Sequence, residues 1–227
     1  MDLATYFAHV TPFMLGRADG AALTSSTHRG LYPRIVRTTW RETLRALLPM
    51  TIRALDREHP GDTDAIIDAY FDAHPPTSRE LEGITASLAS FLVDARGLHA
   101  AWRELVDLDE TERAVSSHPA TSAMAHSGVN PTLLVRHNRY PVVRYVRALR
   151  SDGLARFPAD EAPETTAYVR HVKTHRVMTS VLTPKRLFAL AKESGETLPP
   201  LDENARAAIA MGRRELIARH VILEEQS

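Results

Sequence analysis

Between Tyr32 and Leu108 apolar residues recur every three or four positions, and that period constrains the fold more than any other feature of the chain. The segment YPRIVRTTWRETLRALLP sets Val36, Trp40, Leu44, Leu47 and Leu48 at helical spacing, with Pro33 suited to the first turn. Pro49 kinks or ends this helix, and Met50, Ile52 and Leu55 continue the stripe. A third stripe, from about Asp62 to Ala73, turns Ile66, Ile67, Tyr70 and Phe71 inward and stops at His74-Pro75-Pro76. Ser78 can cap the next helix, which carries Leu81, Ile84, Leu88, Phe91 and Leu92. A fifth begins near Leu98 and repeats at Trp102, Leu105 and Leu108. Upstream, Leu3 to Val10 suits a short helix, and Gly16 to Gly30 reads as loop. Short connections between such helices predict a bundle over residues 1–118.

The texture changes after Val115. Ser116 to Pro131 is rich in Ser, Ala and His and is broken by Pro119, Gly128 and Pro131, so residues 119–130 are expected to link two domains. Thr132 to Val135 is a short β-prone run, and Tyr140 to Leu149 suits a short helix opened by Pro141. Thr165 to Val172 and Arg176 to Leu182 read as two strands of a hairpin, turning at Lys173, Thr174 and His175. Thr183 and Pro184 open a helix that Gly195 ends, and Asp202 caps a final helix to about His220. Val221 to Leu223 can form a last short strand. The expected fold class is α+β: the helical bundle, then a small α/β domain over residues 131–227 with a β-hairpin or three-stranded sheet.

Composition enters by exclusion. The chain has no cysteine, which removes disulfides, a thiolate nucleophile and Cys-ligated zinc or iron–sulfur sites. With 28 basic and 28 acidic residues, net charge gives no push toward nucleic acid or an anionic membrane. No apolar run is long enough to span a bilayer, and Met1-Asp2-Leu3-Ala4-Thr5 lacks the basic start of a signal peptide. A soluble cytoplasmic protein without a membrane partner is expected.

No catalytic residue emerges. There is no Gly-x-Ser-x-Gly elbow and no glycine-rich phosphate loop. The acidic run Asp107-Leu108-Asp109-Glu110-Thr111-Glu112 could supply paired carboxylates, but a solvated helix face accounts for it. His171 and His175 are four apart yet fall on a strand and its turn, where they do not converge, and His118 and His126 lie in the linker. No metal and no cofactor is expected in this chain.

Cations supply the sharper features. Arg34, Arg37, Arg41 and Arg45 step by three, four and four along one helix face. They suit a partner surface, a phosphate-tracking stripe, or a solvated face pairing with Glu42 or a neighbouring helix. A second group, Arg136, His137, Arg139, Arg144, Arg147 and Arg150, precedes the hairpin, which itself carries Arg170, His171, Lys173, His175 and Arg176. An open strand edge among cations can take up an extended acidic peptide, or the cations can guard a covered edge. Tyr168, Val169, Arg170, His171 and Val172 are the expected peptide-binding residues. Arg34, Arg37, Arg41, Arg45, Arg144 and Arg147 are the expected partner-binding residues.

The order of these marks resembles a known family. Tyr32, Arg37, Pro49, Tyr70, His74-Pro75-Pro76, Phe91-Leu92 and Leu105-Asp107-Leu108-Glu112 follow the rhythm of a family that goes under a DNA-binding-domain label. RYPVVRYVRAL and the segment TAYVRHVKTHRVMTSVLTPKRLFALAKESGETL follow that family's second domain, so the resemblance covers roughly residues 30 to 220. Despite the label, such proteins accompany TIM-barrel, multinuclear-iron enzymes that modify cysteines of ribosomally made peptides; the methanobactin-biosynthesis C proteins are among them. The resemblance implies a non-catalytic partner subunit that recruits the leader of a precursor peptide and supports the barrel enzyme as a heterodimer. The iron would sit in the partner enzyme. Oxazolone and thioamide formation and thia-amino-acid peptides are the chemistries it implies. The alternative is a DNA-binding transcriptional regulator using the Arg34–Arg45 stripe.

Overall fold

The computed structural model describes residues 31–76, 81–119, 128–151 and 155–224. The protein is α+β, with helices first and a small antiparallel sheet in the C-terminal part. It divides into two compact units, one ending at Val106 and the other beginning at Asp107. That division falls inside a helix, earlier than the expected boundary at 118. The short helix expected at Leu3 to Val10, the loop at Gly16 to Gly30 and the cap at Ser78 lie outside the described residues. No helix among the described residues is long and apolar enough to cross a membrane.

In the first unit α1 (Leu31–Leu47) and α2 (Pro49–Glu58) are separated at Leu48. Pro49 has no N–H to donate, so the second helix starts there, while Ile52 N–H still bonds to Leu48 O at 3.0 Å. After α3 (Thr63–Ala73), the helix expected from Ser78 to Leu92 is broken. α4 (Leu81–Thr85) ends in a turn, and α5 (Leu88–Ser90) runs into a π-helical stretch, Phe91–Ala95. α6 (Ala101–Ser116) follows and carries the unit's last core residues, Trp102, Leu105 and Val106. The stripes read from the sequence form the core: Leu44, Leu48, Ile52, Leu55, Ile67, Tyr70, Phe71, Leu88 and Leu92 are all buried. Tyr70 keeps its hydroxyl satisfied there by donating to Ile84 O at 2.7 Å.

In the second unit the last ten residues of α6 are followed by β1 (Gly128–Val129), β2 (Leu134–Asn138), α7 (Val142–Arg150), β3 (Glu164–Arg170) and β4 (Val177–Leu182). Then come α8 (Pro184–Glu193), α9 (Glu203–Ile217) and β5 (Ile222–Leu223). The main sheet has the order β2-β3-β4, antiparallel throughout. β1, inside the expected linker, pairs with β5, Gly128 opposite Leu223 and Val129 opposite Ile222. Asn130 ties this ribbon down: its Nδ2 donates to His220 O at 2.8 Å and Arg170 O at 3.2 Å. Alternation along β3 separates two faces. Ala167 and Val169 join Leu182, Ala189, Leu190, Ile209, Leu216, Val221 and Ile222 in one core. The residues opposite face α6, where Arg136 Nε donates to Thr111 Oγ1 at 3.3 Å and Thr179 Oγ1 to Glu112 at 3.1 Å.

Gly212 sets how closely α8 and α9 can approach. An added Cβ would meet the backbone of Lys185, with its carbonyl carbon at 2.8 Å, and Arg186 N at 3.1 Å. Backbone cannot swing aside as a side chain can, so Gly212→Ala must push the helices apart. A net loss of about 1–3 kcal/mol is expected even after the better helix propensity of alanine. Urea unfolding measures it; an unchanged midpoint would show that the two helices separate without cost.

Candidate functional site

The arginine stripe is matched within its own unit. Arg37, Arg41 and Arg45 on α1 face Asp72, Asp68 and Asp64 on α3, in an antiparallel ladder whose steps are four residues on both helices. Arg37 Nη2 lies 3.0 Å from Asp72, Arg41 Nε 2.8 Å from Asp68, and Arg45 Nη2 2.5 Å from Asp64. Half-exposed pairs of this kind stabilise by only about 0.2–1 kcal/mol each. Their larger consequence is electrostatic, because the expected partner-binding cations Arg37, Arg41 and Arg45 carry their counter-charges with them. Arg34, at the start of the stripe, is exposed.

The expected peptide-binding strand is placed differently from the expectation. β3 is the central strand, so both of its edges are paired, Tyr168 with Leu134 on one side and Thr179 on the other. Tyr168 and Val169 are each 1% exposed, and burial pushes the Tyr168 hydroxyl's pKa well above its usual value. Arg170 donates to Ser116 O at 3.1 Å. His171 and Val172 lie beyond the strand, where His171 Nδ1 accepts the N–H groups of Lys173 and Thr174, both at 3.1 Å. A hairpin alone would have left β3 with one open edge; the β-prone run after Pro131 extends to Asn138 as β2 and closes it.

The two outer edges of the sheet differ. The bond from His171 N–H to Arg176 O sets the phase, so Thr179 and Val181 turn their backbone groups away from β3. Guanidinium groups cover those carbonyls: Arg147 Nη2 donates to Thr179 O and Arg186 Nη1 to Val181 O, both at 2.8 Å. Arg147, expected at a partner surface, therefore caps the β4 edge. Arg144, the other such residue on α7, sits with its Nε 3.6 Å from the buried Glu164 carboxylate. Glu164 Oε1 in turn accepts Val143 N–H at 2.8 Å at the first turn of α7. Burial raises the Glu164 pKa, outweighing that bond and the nearby arginines.

On the β2 side the same phase turns the backbone groups of Val135 and His137 outward, and among the described residues no strand pairs with them. Beside this edge lies an open groove of about 600 Å³ between β2 and α6. Its α6 wall includes Asp107, Glu110, Thr111, Arg113 and Ala114; its strand wall includes Val135, Arg136 and His137. Val135 is 37% exposed, an apolar side chain next to unpaired backbone. This edge was missed in the sequence because β2 alternates poorly: Val-Arg-His are consecutive and all exposed.

No group of three or more His, Asp or Glu side chains able to hold a metal occurs among the described residues. No protein-family model and no curated protein matches the chain.

One histidine contact has a consequence for stability. The rings of His171 and His220 lie 4.0 Å apart, and His220, at φ 57°, immediately precedes the β5 ribbon. Burial chiefly, then His171 and Lys173, lowers the His220 pKa below its usual value of 6.5. The folded chain therefore binds this proton less readily than the unfolded one. Stability from the neutral ring is full above about pH 6.5 and is lost as pH falls through the lower folded pKa. His220→Asn removes the titration and keeps a residue that tolerates positive φ. Its urea midpoint is expected to fall less than that of the natural chain between pH 7.5 and 5.5; an equal fall would assign the acid sensitivity to other groups.

Proposed function

We propose that the chain is a non-catalytic partner subunit which presents an extended precursor peptide to an iron-dependent oxidative enzyme, the peptide lying along β2. The observation that supports this reading is the asymmetry of the sheet: arginines cover the β4 edge, while the β2 edge is unpaired and opens on a groove. An added strand bonds through its main chain, so it gains affinity for many sequences, and alternate side chains enter the groove and give selectivity. The family resemblance supplies the enzyme partner and the class of peptide, ribosomally made with cysteines to be modified, in methanobactin-like or thia-amino-acid pathways. The rival reading, a DNA-binding regulator, rested on the Arg34–Arg45 stripe, and the Asp64–Asp68–Asp72 ladder neutralises most of that face.

The β2 edge makes the test specific. Proline at position 135 or 137 removes an outward N–H but no backbone bond to β3, so the sheet survives, although at 137 it also removes the ring's 2.9 Å contact with Thr165 Oγ1. Val135→Pro and His137→Pro are each expected to weaken binding of the precursor peptide about tenfold, the worth of roughly one lost backbone hydrogen bond plus the ring's obstruction. The measurement is affinity of the full chain for a candidate precursor peptide, with circular dichroism confirming the fold. Unchanged affinity in both variants would overturn the reading.

A further inference from the structure

We propose that the groove between α6 and β2 selects for a carboxylate, carried on the residue of the added strand that lies level with Arg136. The inference rests on the docking reading above and adds the chemistry that the groove recognises.

Strand geometry decides which side chain enters. Leu134, Arg136 and Asn138 bond to β3 through their backbones, and Arg136 points its side chain toward α6, where its Nε meets Thr111. A strand laid on the outer edge would hydrogen-bond to Val135 and His137, and its residue level with Arg136 would share the face of Arg136. Directly opposed side chains of that kind have Cβ atoms about 4.5–5.5 Å apart. The peptide's side chain at this position therefore stands between Arg136 and the α6 wall.

The cations there are unneutralised. Arg37, Arg41, Arg45, Arg103, Arg139, Arg144, Arg150, Arg186 and Arg213 each lie against a carboxylate. Arg136 meets a neutral hydroxyl instead, and its side chain is exposed to the groove. Arg113, on the facing wall, has a buried Nε with no hydrogen-bond partner. An unsatisfied buried donor on a cation is costly, and an ionised acceptor satisfies it best. The acids on the same wall do not fill this need: Asp107 and Glu110 are not free, and Glu112, one turn on, holds Arg150 and Thr179. An aspartate or glutamate of the peptide would supply the missing charge to both guanidiniums at once. Main-chain pairing sets where the peptide lies, and this contact sets its register.

Two synthetic peptides test the inference on the full chain: acetyl-Thr-Val-Thr-Glu-Thr-Val-Thr-amide and the same peptide with glutamine at its centre. Binding is followed through backbone amide shifts in NMR. Both peptides should shift Val135 and His137, and the glutamate peptide should bind about tenfold more tightly at low salt, the effect of one charge-assisted contact. Arg136→Gln, at an exposed position, should bring the glutamate peptide to the affinity of the glutamine peptide and leave the latter unchanged; Arg113→Gln should do the same. Equal affinities with β2 shifts intact would overturn the carboxylate selectivity while the docking reading stands. A glutamate preference that survives both substitutions would place the carboxylate elsewhere and overturn it as well. No shift at β2 from either peptide would overturn both.

Discussion

The second unit depends on the double pairing of β3. Because that strand bonds to β2 and β4 at once, its backbone is fully used, and its side chains have only two directions to go. One set, Ala167 and Val169, closes the core with α8 and α9; the other, Thr166 and Tyr168, is buried on the face toward α6. The same pairing dictates the phase of both neighbours. Thr179 and Val181 must present backbone outward on β4, and Val135 and His137 must do so on β2. What distinguishes the two edges is then not the strands but what lies beside them. Arg147 from α7 and Arg186 from α8 reach the β4 carbonyls, whereas a groove flanks β2.

Much of this architecture was legible, and for physical reasons. In the first unit the helix stripes are long, and burying them leaves few alternatives, so most residues read as inward are found buried, with Trp40, Leu47, Met50 and Leu98 buried only in part. The hairpin strands were legible to within two residues at each end because β-branched runs flank a polar turn. β2 was not read to its full length, since an edge strand with one exposed side has no reason to alternate, and LVRHN shows no period. The linker likewise hid β1, whose two residues are held by pairing with β5 and by Asn130, a long-range fit that no local pattern encodes.

The candidate site shows the sharper limit. Reading the hairpin in isolation made β3 an edge and assigned recognition to Tyr168, Val169 and Arg170. Strand order is a tertiary fact, and it turned those residues into core and structural contacts. The arginine stripe illustrates the opposite case. Asp64, Asp68 and Asp72 repeat with the four-residue step of Arg37, Arg41 and Arg45, so the counter-stripe was present in the sequence all along. Two complementary stripes with the same four-residue step, on helices separated by one short helix, are a stronger statement than either alone, and matching their periods identifies the pairing from the sequence.

That contrast sorts the arginines by what their guanidinium groups meet. A guanidinium that has a carboxylate at helical or sheet register is accounted for by the fold, and its removal changes stability modestly. One whose hydrogen bond goes to a strand-edge carbonyl, as that of Arg147 does, protects the edge. Arg113 and Arg136 belong to neither class, since one buries an unsatisfied Nε and the other meets only a hydroxyl, and they line the same groove. A buried Nε without an acceptor is unfavourable in the isolated chain, and an exposed guanidinium that meets only a hydroxyl keeps donors for an arriving anion. Among the described residues of this unit, the groove brings together an unpaired strand edge and two cations without a carboxylate partner, which suits a single extended acidic segment.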